Sequence, residues 1–122
     1  MLTQAEIVAK LQAASRLEKG WDSYKADPPS QLAIANAGIF LGLCGDFLPD
    51  RVAPSVMGGI GVTFRRPGKK VYVEFYNYGT TYSLRCHGDD IRAEEVADYQ
   101  TFLTAIRSDL GANGMDGGDK VV

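Results

Sequence analysis

The stretch from residue 53 to residue 86 is divided by three turn signals, and its apolar residues alternate with polar ones. Gly58-Gly59, Pro67-Gly68 and Asn77-Tyr78-Gly79 are typical hairpin turns, because glycine supplies positive φ angles and proline fixes φ. Alternation over short segments indicates strands with one buried face. We therefore expect four strands joined as an antiparallel meander, the first of them over residues 54–57.

The same alternation predicts which side chains share a face of the sheet. The residues expected on the apolar face, toward the helices, are Ile60, Val62, Phe64, Val71, Val73, Phe75, Tyr82, Leu84 and Cys86. The residues expected on the polar face are Thr63, Arg65, Tyr72, Glu74, Tyr76, Thr81, Ser83 and Arg85. An antiparallel sheet of this kind is stable with one face in water.

Helical periodicity flanks the meander on both sides. Thr3 and Glu6 match a capping box that begins a first helix, which ends near residues 17–19. A second helix follows Ser30 and continues to Pro49, and it is apolar nearly all round, which indicates burial on most sides. A final helix is expected over residues 92–110, with acidic residues in its first turn. The predicted class is α+β, in the order α-α-β-β-β-β-α.

The length of 122 residues fits one domain. We expect a single α+β domain over residues 1–111 and a flexible Gly-rich tail over residues 112–122. The net charge of −2 does not favour general nucleic-acid binding, which needs many cations to neutralise phosphates. The sequence predicts no membrane segment, no signal peptide and a cytoplasmic location, with Cys44 and Cys86 as free thiols that behave as small core residues.

The segment Gly20-Trp21-Asp22-Ser23-Tyr24 contains the only tryptophan of the chain, at a place where periodicity predicts a loop. One interpretation is a recognition loop, in which Trp21 and Tyr24 offer aromatic surface and Asp22 accepts hydrogen bonds. The other is structural, with Trp21 as a plug over the core and Asp22 capping a turn. On the polar face, aromatic and basic side chains interleave in a pattern that suits a protein partner. The residues predicted to bind a partner are Trp21, Asp22, Tyr24, Tyr72, Tyr76 and Arg85.

The second hairpin has a basic tip. Arg65, Arg66, Lys69 and Lys70 flank its turn, and they are the residues expected to contact phosphate in the alternative hypothesis of nucleic-acid binding. Cations beside a turn are also typical of a solvated hairpin that resists edge-to-edge association.

One short segment, residues 85–90, has residue types found in catalytic sites. Cys86 and His87 are adjacent, so on a strand they point to opposite faces and do not form a thiolate–imidazole pair. Asp89 and Asp90 are better interpreted as the start of the last helix. Metal-ligand spacing is absent as well. We expect no catalytic residues, no metal and no cofactor, and a small hydrolase or nuclease is the least favoured alternative.

Four short segments of the chain are Gly20-Trp21-Asp22-Ser23-Tyr24, Pro28-Pro29-Ser30, Pro54 and Gly58-Gly59-Ile60. In these segments the chain resembles a group of small bacterial and mobile-element proteins with a Gly-Trp-Asp-x-Tyr signature. The likeness covers residues 17–84. It implies a small cytosolic accessory protein from a phage, plasmid or defence-related locus, without an agreed activity. The leading hypothesis is therefore a non-enzymatic protein-interaction module, or an inhibitor of that kind, with a protein partner of unknown identity and an open oligomeric state.

Overall fold

The computed structural model describes residues 1–111, and the predicted tail over residues 112–122 lies outside them. The elements of the described part are α1 (Gln4–Ala14), α2 (Gln31–Leu43), β1 (Arg51–Ser55), β2 (Gly59–Arg66), β3 (Lys69–Tyr76), β4 (Thr81–His87), β5 (Asp90–Glu95) and α3 (Tyr99–Leu110). The strands form one antiparallel sheet in the order β1-β2-β3-β4-β5. The α+β class and the meander are confirmed, with one strand more than expected.

Local sequence explains where the helices begin. The Thr3 hydroxyl accepts a hydrogen bond from the amide of Glu6, and the Glu6 carboxylate accepts one from the amide of Thr3, which completes the expected capping box. The Ser30 hydroxyl caps α2 by accepting from the amide of Ala33. These caps satisfy amides that have no partner inside the helix.

The hydrophobic core lies on one face of the sheet. It joins Ile7 of α1, Phe40 of α2 and Ile106 of α3 to the inward side chains of β1, β2 and β3. Phe40 is at its centre, with its ring 5.3 Å from that of Phe75 and 6.2 Å from that of Phe64. The helices therefore cover the face that carries Val62, Val73 and their neighbours.

The fifth strand replaces the beginning of the predicted final helix. Residues 90–95 pair with β4, with Asp90 opposite His87 and Glu95 opposite Tyr82, and α3 begins only after its N-cap Asp98. The prediction of a helix from residue 92 is wrong because cross-strand hydrogen bonding outweighs the helix propensity of the Ala-Glu-Glu run. Asp89 and Asp90 accordingly belong to the β4–β5 hairpin rather than to a helix start.

The second correction concerns the faces of β4. Thr81 is opposite Phe75, Ser83 opposite Val73 and Arg85 opposite Val71, so these three residues point toward the helices. The expected arrangement, with Tyr82, Leu84 and Cys86 in the core, is wrong. A shift of one residue exchanges the two faces of a strand, and the length of the β3–β4 turn sets that register. The buried hydroxyl of Thr81 is satisfied by Tyr99 at 2.8 Å.

The second helix is shorter and more exposed than its apolar sequence predicted. It ends at Leu43, and Gly45 follows with a φ of 62°. Leu32, Ile39 and Leu43 lie on its outer side and are exposed. The expected burial on most sides is therefore wrong, since only Ala33, Ala37, Phe40 and Leu41 of this helix are buried.

Candidate protein-binding site

The sheet face opposite the core is named the open face here. Antiparallel register places on it, toward one end, Tyr76, Glu74, Tyr82 and Glu95; in the middle, Thr63, Tyr72, Leu84 and Ala93; and toward the other end, Arg65, Lys70, Cys86 and Ile91. Its large side chains reach solvent: Leu84 is 38% exposed, Tyr82 42% and Ile91 67%. Exposed apolar and aromatic side chains grouped on one face are a feature of sites that bind another molecule.

Charge is divided along the open face. Glu74 and Glu95 flank Tyr82 across three neighbouring strands. Arg65 and Lys70 are directly opposite each other at the far end, next to Cys86. Between them lies the apolar row of Tyr72, Leu84 and Ala93. Across β3, β4 and β5 the open face is therefore acidic at one end, apolar in the middle and basic at the other end, and Arg51 of β1 adds an exposed cation at the edge of the middle row.

Glu74 is the most unusual residue of the open face, because its side chain is buried there without a helix above it. It is 6% exposed. One carboxylate oxygen, Oε1, accepts a hydrogen bond of 2.5 Å from the Tyr72 hydroxyl. The other, Oε2, is buried and has no hydrogen-bond partner among the described residues. A buried polar atom without a partner is rare and destabilising, so its presence here needs an explanation.

Gly61 makes the Tyr72–Glu74 arrangement possible. It is opposite Glu74 on β2, and a Cβ atom at this position would lie 2.5 Å from the Tyr72 hydroxyl and 2.9 Å from its ring. The ring of Tyr72 thus occupies the space that a side chain at residue 61 would need. The absence of a side chain at Gly61 allows the Tyr72 hydroxyl to reach Glu74.

The surroundings of Glu74 also affect the tyrosines. Burial raises the pKa of Tyr72 above its ordinary value of 10.0, and the hydrogen bond to Glu74 and the negative charge of Glu74 raise it further, whereas the Ser55 hydroxyl acts in the opposite direction. The pKa of Tyr76 is also raised, first by burial and then by Glu74, Tyr78 and Tyr82. Both phenols are therefore neutral hydrogen-bond donors at neutral pH.

Three further tyrosine rings form a group around Tyr76, and one of them, Tyr82, is opposite Glu74. Tyr76 stacks on Tyr78, with ring centroids 5.2 Å apart and planes 12° apart. Tyr82 meets Tyr76 edge to face at 6.1 Å. We name Tyr72, Tyr76, Tyr78 and Tyr82 the tyrosine cluster. Of this cluster, the sequence pattern predicted only Tyr72 and Tyr76 as binding residues. Four of the six tyrosines of the chain fall within residues 72–82, which is a signal for the whole cluster.

The loop between α1 and α2 is held by its own hydrogen bonds. The indole of Trp21 is half-buried and donates to the carbonyl of Asp27 at 3.1 Å. The Asp22 carboxylate accepts from the amides of Tyr24 and Ala26, at 2.9 and 3.2 Å, as an Asx turn does. Tyr24 is 84% exposed. These contacts agree with the structural interpretation of Asp22, and they leave Tyr24 as the accessible aromatic side chain of the loop.

Arg85 does not share a face with Tyr72 and Tyr76, so the predicted grouping is wrong. Its register with Val71 directs it toward the helices. There its guanidinium pairs with Glu94 at 3.0 Å and lies 5.9 Å from the centre of the Phe102 ring. Arg85 connects β4 to β5 and α3 and is no part of the open face.

The four cations of the basic hairpin are divided between the two faces. Arg66 and Lys69 are on the helix side, where Arg66 pairs with Asp50 at 3.4 Å and Lys69 donates to the carbonyl of Asp109 at 2.7 Å. Arg65 and Lys70 are exposed on the open face. The hairpin thus offers two of its cations, rather than all four, to a phosphate backbone on either side, and Arg51 of β1, opposite Thr63, is a further exposed cation on the open face.

The residues with catalytic side-chain types are also separated by the sheet. Cys86 is on the open face, opposite Lys70, whereas His87 is on the helix side, opposite Lys69, as the alternation of a strand predicts. A cleft of about 640 Å³ lies between the ends of β3, β4 and β5 and α3; its lining includes His87, Arg85, Arg92 and Asp109. Two of its cations, Lys69 and Arg85, are already bound to neighbouring groups.

Comparisons with protein-family models, with curated proteins and with solved structures find no match for this chain. The resemblance to small proteins with a Gly-Trp-Asp-x-Tyr signature therefore stays a prediction. No helix within residues 1–111 has the length and apolarity to span a bilayer. The same residues contain no group of three or more His, Cys, Asp or Glu side chains placed to hold a metal ion.

Proposed function

We propose that this chain is a small non-enzymatic module that binds a protein partner on the open face. The observation that supports the proposal is the exposure of Tyr82, Leu84 and Ile91 on a sheet face that the core does not use. Surfaces of this composition, with aromatic and aliphatic residues at the centre and charges at the rim, are typical of protein interfaces. Tyr24, 84% exposed on the loop that Asn77 binds at Pro28, is a further candidate contact residue.

The resemblance of residues 17–84 supports a role as a cytoplasmic accessory or inhibitor protein from a phage, plasmid or defence-related locus. In such a role the partner is the functional target, and the chain acts by covering a surface of it. An enzyme activity is not part of this proposal.

Capture experiments with matched variants test the proposal. The immobilised chain is exposed to host lysate at about 0.15 M ionic strength, where exposed charges are largely screened. The double variant Leu84→Lys with Ile91→Lys places charge on the open face. Ile39→Lys makes a similar change on the outer side of α2, where Ile39 is 57% exposed. Circular dichroism checks that each variant is folded.

We expect a protein that is retained by the wild type and by Ile39→Lys and is lost with the open-face variant. Loss with Ile39→Lys alone would move the site to α2. Retention of every captured protein by the folded open-face variant, or capture of none by the wild type, would contradict the proposal. Sedimentation of the wild type alone shows whether the partner is a second copy.

Nucleic-acid binding through Arg65 and Lys70 is the alternative function, since these two cations are exposed on the open face. Gel shifts across a range of salt concentrations test it, because phosphate contacts are strongest at low ionic strength. A chain that shifts neither DNA nor RNA at low salt removes this alternative.

A further inference from the structure

One buried carboxylate oxygen of Glu74 has no hydrogen-bond donor within residues 1–111. This atom, Oε2, is covered and has no partner among the described residues, while Oε1 has only the Tyr72 hydroxyl. A buried carboxylate is stable when it is paired or fully hydrogen-bonded, and an unpaired one is strongly unfavourable. No group of residues 1–111 donates to Oε2, so a ligand that binds here can supply this donor.

The neighbours of Glu74 determine which donor fits. Tyr76 and Tyr82 present aromatic rings next to it, and Glu95 adds a second carboxylate on the far side of Tyr82. The faces of aromatic rings attract cations, and carboxylates do so more strongly. An anion would be repelled by both carboxylates, and a neutral apolar group would leave Oε2 without a donor.

A bare metal ion is a poor occupant of this position. Hard cations take six or more oxygen ligands in protein sites, and no group of three or more acidic, His or Cys residues suited to a metal occurs within residues 1–111. An organic cation needs fewer ligands, since its alkyl part lies on aromatic and aliphatic surface while its charged head donates hydrogen bonds. The apolar row with Leu84 continues from Tyr82 and offers such a surface.

We propose that Glu74, with Tyr76, Tyr82 and Glu95, forms a site for a cationic side chain, lysine or arginine, of the protein that binds the open face. This inference rests on the proposed function. Because Oε2 is covered, binding includes the movement of a neighbouring side chain, and we assign this movement to Tyr82, which is opposite Glu74 and 42% exposed. The cation then donates to Oε2, lies against the Tyr76 and Tyr82 rings, and faces Glu95. The basic end of the open face, Arg65 and Lys70, requires an acidic group at the other end of the same partner surface.

The test uses small cations in place of the unidentified partner. The full chain, isotopically labelled, is titrated with n-butylguanidinium chloride and with n-butylammonium chloride at constant ionic strength. n-Butanol is the neutral control and sodium butyrate the anionic control. The ring signals of Tyr76, Tyr78 and Tyr82 and the amide signals of residues 74–76 report binding. Comparison of the two cations distinguishes an arginine-type ligand from a lysine-type ligand.

We expect saturable shifts of these signals with at least one cation and none with butanol or butyrate. Glu74→Gln keeps the size of the side chain and removes its charge, and it should weaken cation binding by about tenfold or more. Glu95→Gln and Tyr82→Leu change exposed residues, so they test the site even where the Glu74 variant does not fold, and each should weaken binding at least about threefold. Lys70→Gln, at the basic end, is the matched control and should not weaken it.

Equal shifts with butanol and with the cations would overturn the inference, and so would unchanged cation binding in folded Glu74→Gln, Glu95→Gln and Tyr82→Leu. Failure of this titration together with loss of partner capture in the Leu84→Lys, Ile91→Lys variant would leave the proposed function standing and remove only the cation site. If the cations bind but the Leu84→Lys, Ile91→Lys variant captures the same proteins as the wild type, the cation site stands and the proposed protein-binding function is removed.

Discussion

Asn77, in the turn between β3 and β4, binds Ser30, which lies 47 residues earlier, through two hydrogen bonds. The Ser30 amide donates to the Asn77 side-chain oxygen at 2.7 Å, and the Ser30 hydroxyl donates to the Asn77 carbonyl at 3.0 Å. The amide group of Asn77 also donates to the carbonyl of Pro28 at 3.0 Å. The end of the Trp21 loop and the start of α2 are thus fixed to the turn that carries Tyr78.

Replacement of Asn77 by alanine tests how strongly this connection holds the loop. The Asn77→Ala variant leaves the Ser30 amide and the Pro28 carbonyl without their side-chain partners in a half-buried position. We expect a loss of roughly 2 kcal/mol in the free energy of unfolding, since each unsatisfied buried group is unfavourable by about 1–3 kcal/mol. Urea denaturation measures the change.

Asn36→Ala is the control for that measurement. The Asn36 side chain also reaches this turn, but its hydrogen bond to the Gly79 carbonyl is long, at 3.5 Å. Alanine is moreover the better helix former in α2. The control should stay within about 0.5 kcal/mol of the wild type. A similar result for Asn77→Ala would mean that the turn does not hold the loop.

The Tyr72–Glu74 pair should show strong coupling in a double-mutant cycle. Tyr72→Phe removes the donor to Oε1 and leaves the whole carboxylate unsatisfied, so we expect a loss of roughly 2 kcal/mol. Adding Glu74→Met removes the carboxylate as well, and the double variant should regain most of that stability, because two apolar groups replace both partners. Chemical denaturation of the four proteins measures the cycle. Strictly additive losses would contradict the arrangement.

Alkaline pH should destabilise the fold partly through Tyr72. Its pKa is raised in the folded chain above 10.0, so the folded state favours the neutral phenol. The resulting contribution to stability is complete below about pH 10, and it is lost as the pH rises through the folded pKa, because the unfolded chain releases the proton first. Urea midpoints from pH 8 to pH 12 should therefore fall less steeply in Tyr72→Phe than in the wild type.

Tyr24→Phe controls for the loss of one tyrosine, on the exposed loop. A pH dependence that is the same in Tyr72→Phe and in the wild type would show that the Tyr72 hydroxyl is not held as described.

The two cysteines should react with thiol reagents at very different rates. Cys44 is fully buried, and burial raises the pKa of its thiol from 9.0 to about 12, an effect that Arg107 partly opposes. Cys86 is half-buried on the open face. We expect one rapid equivalent of reaction in the native protein, which Cys86→Ser abolishes, and a second that requires unfolding. Rapid reaction of Cys44 in the Cys86→Ser variant would contradict the packing around α2.

The elements with strong local signals could be predicted from the sequence. The capping box of Thr3 and Glu6, the cap at Ser30 and the hairpin turns at Gly59 and Gly68 all depend on residues a few positions apart. Local chemistry of this kind is independent of the rest of the fold. The class and the meander followed from these signals.

The faces of β4 and the strand β5 could not be predicted in this way. Tyr82, Leu84 and Cys86 form a plausible core pattern, and only the register after the turn at Asn77 places them outside. Residues 90–95 contain good helix formers, and only the edge of β4 makes them a strand. Both features are decided by contacts between segments rather than by the segments themselves.

The state of Glu74 also depends on residues that are distant in the sequence. Alternation placed it correctly on the face away from the core, but its side chain is buried there, where the Tyr72 hydroxyl reaches it across Gly61. A sequence pattern contains no information on such an enclosure. The sequence pattern thus predicted the sheet face on which the candidate site lies, but it did not predict Tyr78 and Tyr82 as residues of that site.

The order of the strands also has a consequence for how the chain acquires its structure. Each strand pairs with its neighbour in the sequence. Hairpins of this kind close small loops, whose entropic cost is low, so the sheet can form by stepwise zippering from any of its turns. α1 and α2 precede the sheet in the chain, and they have no apolar surface of it to pack on until those hairpins exist. During synthesis on the ribosome, residues 1–50 therefore emerge before the sheet on which α1 and α2 pack.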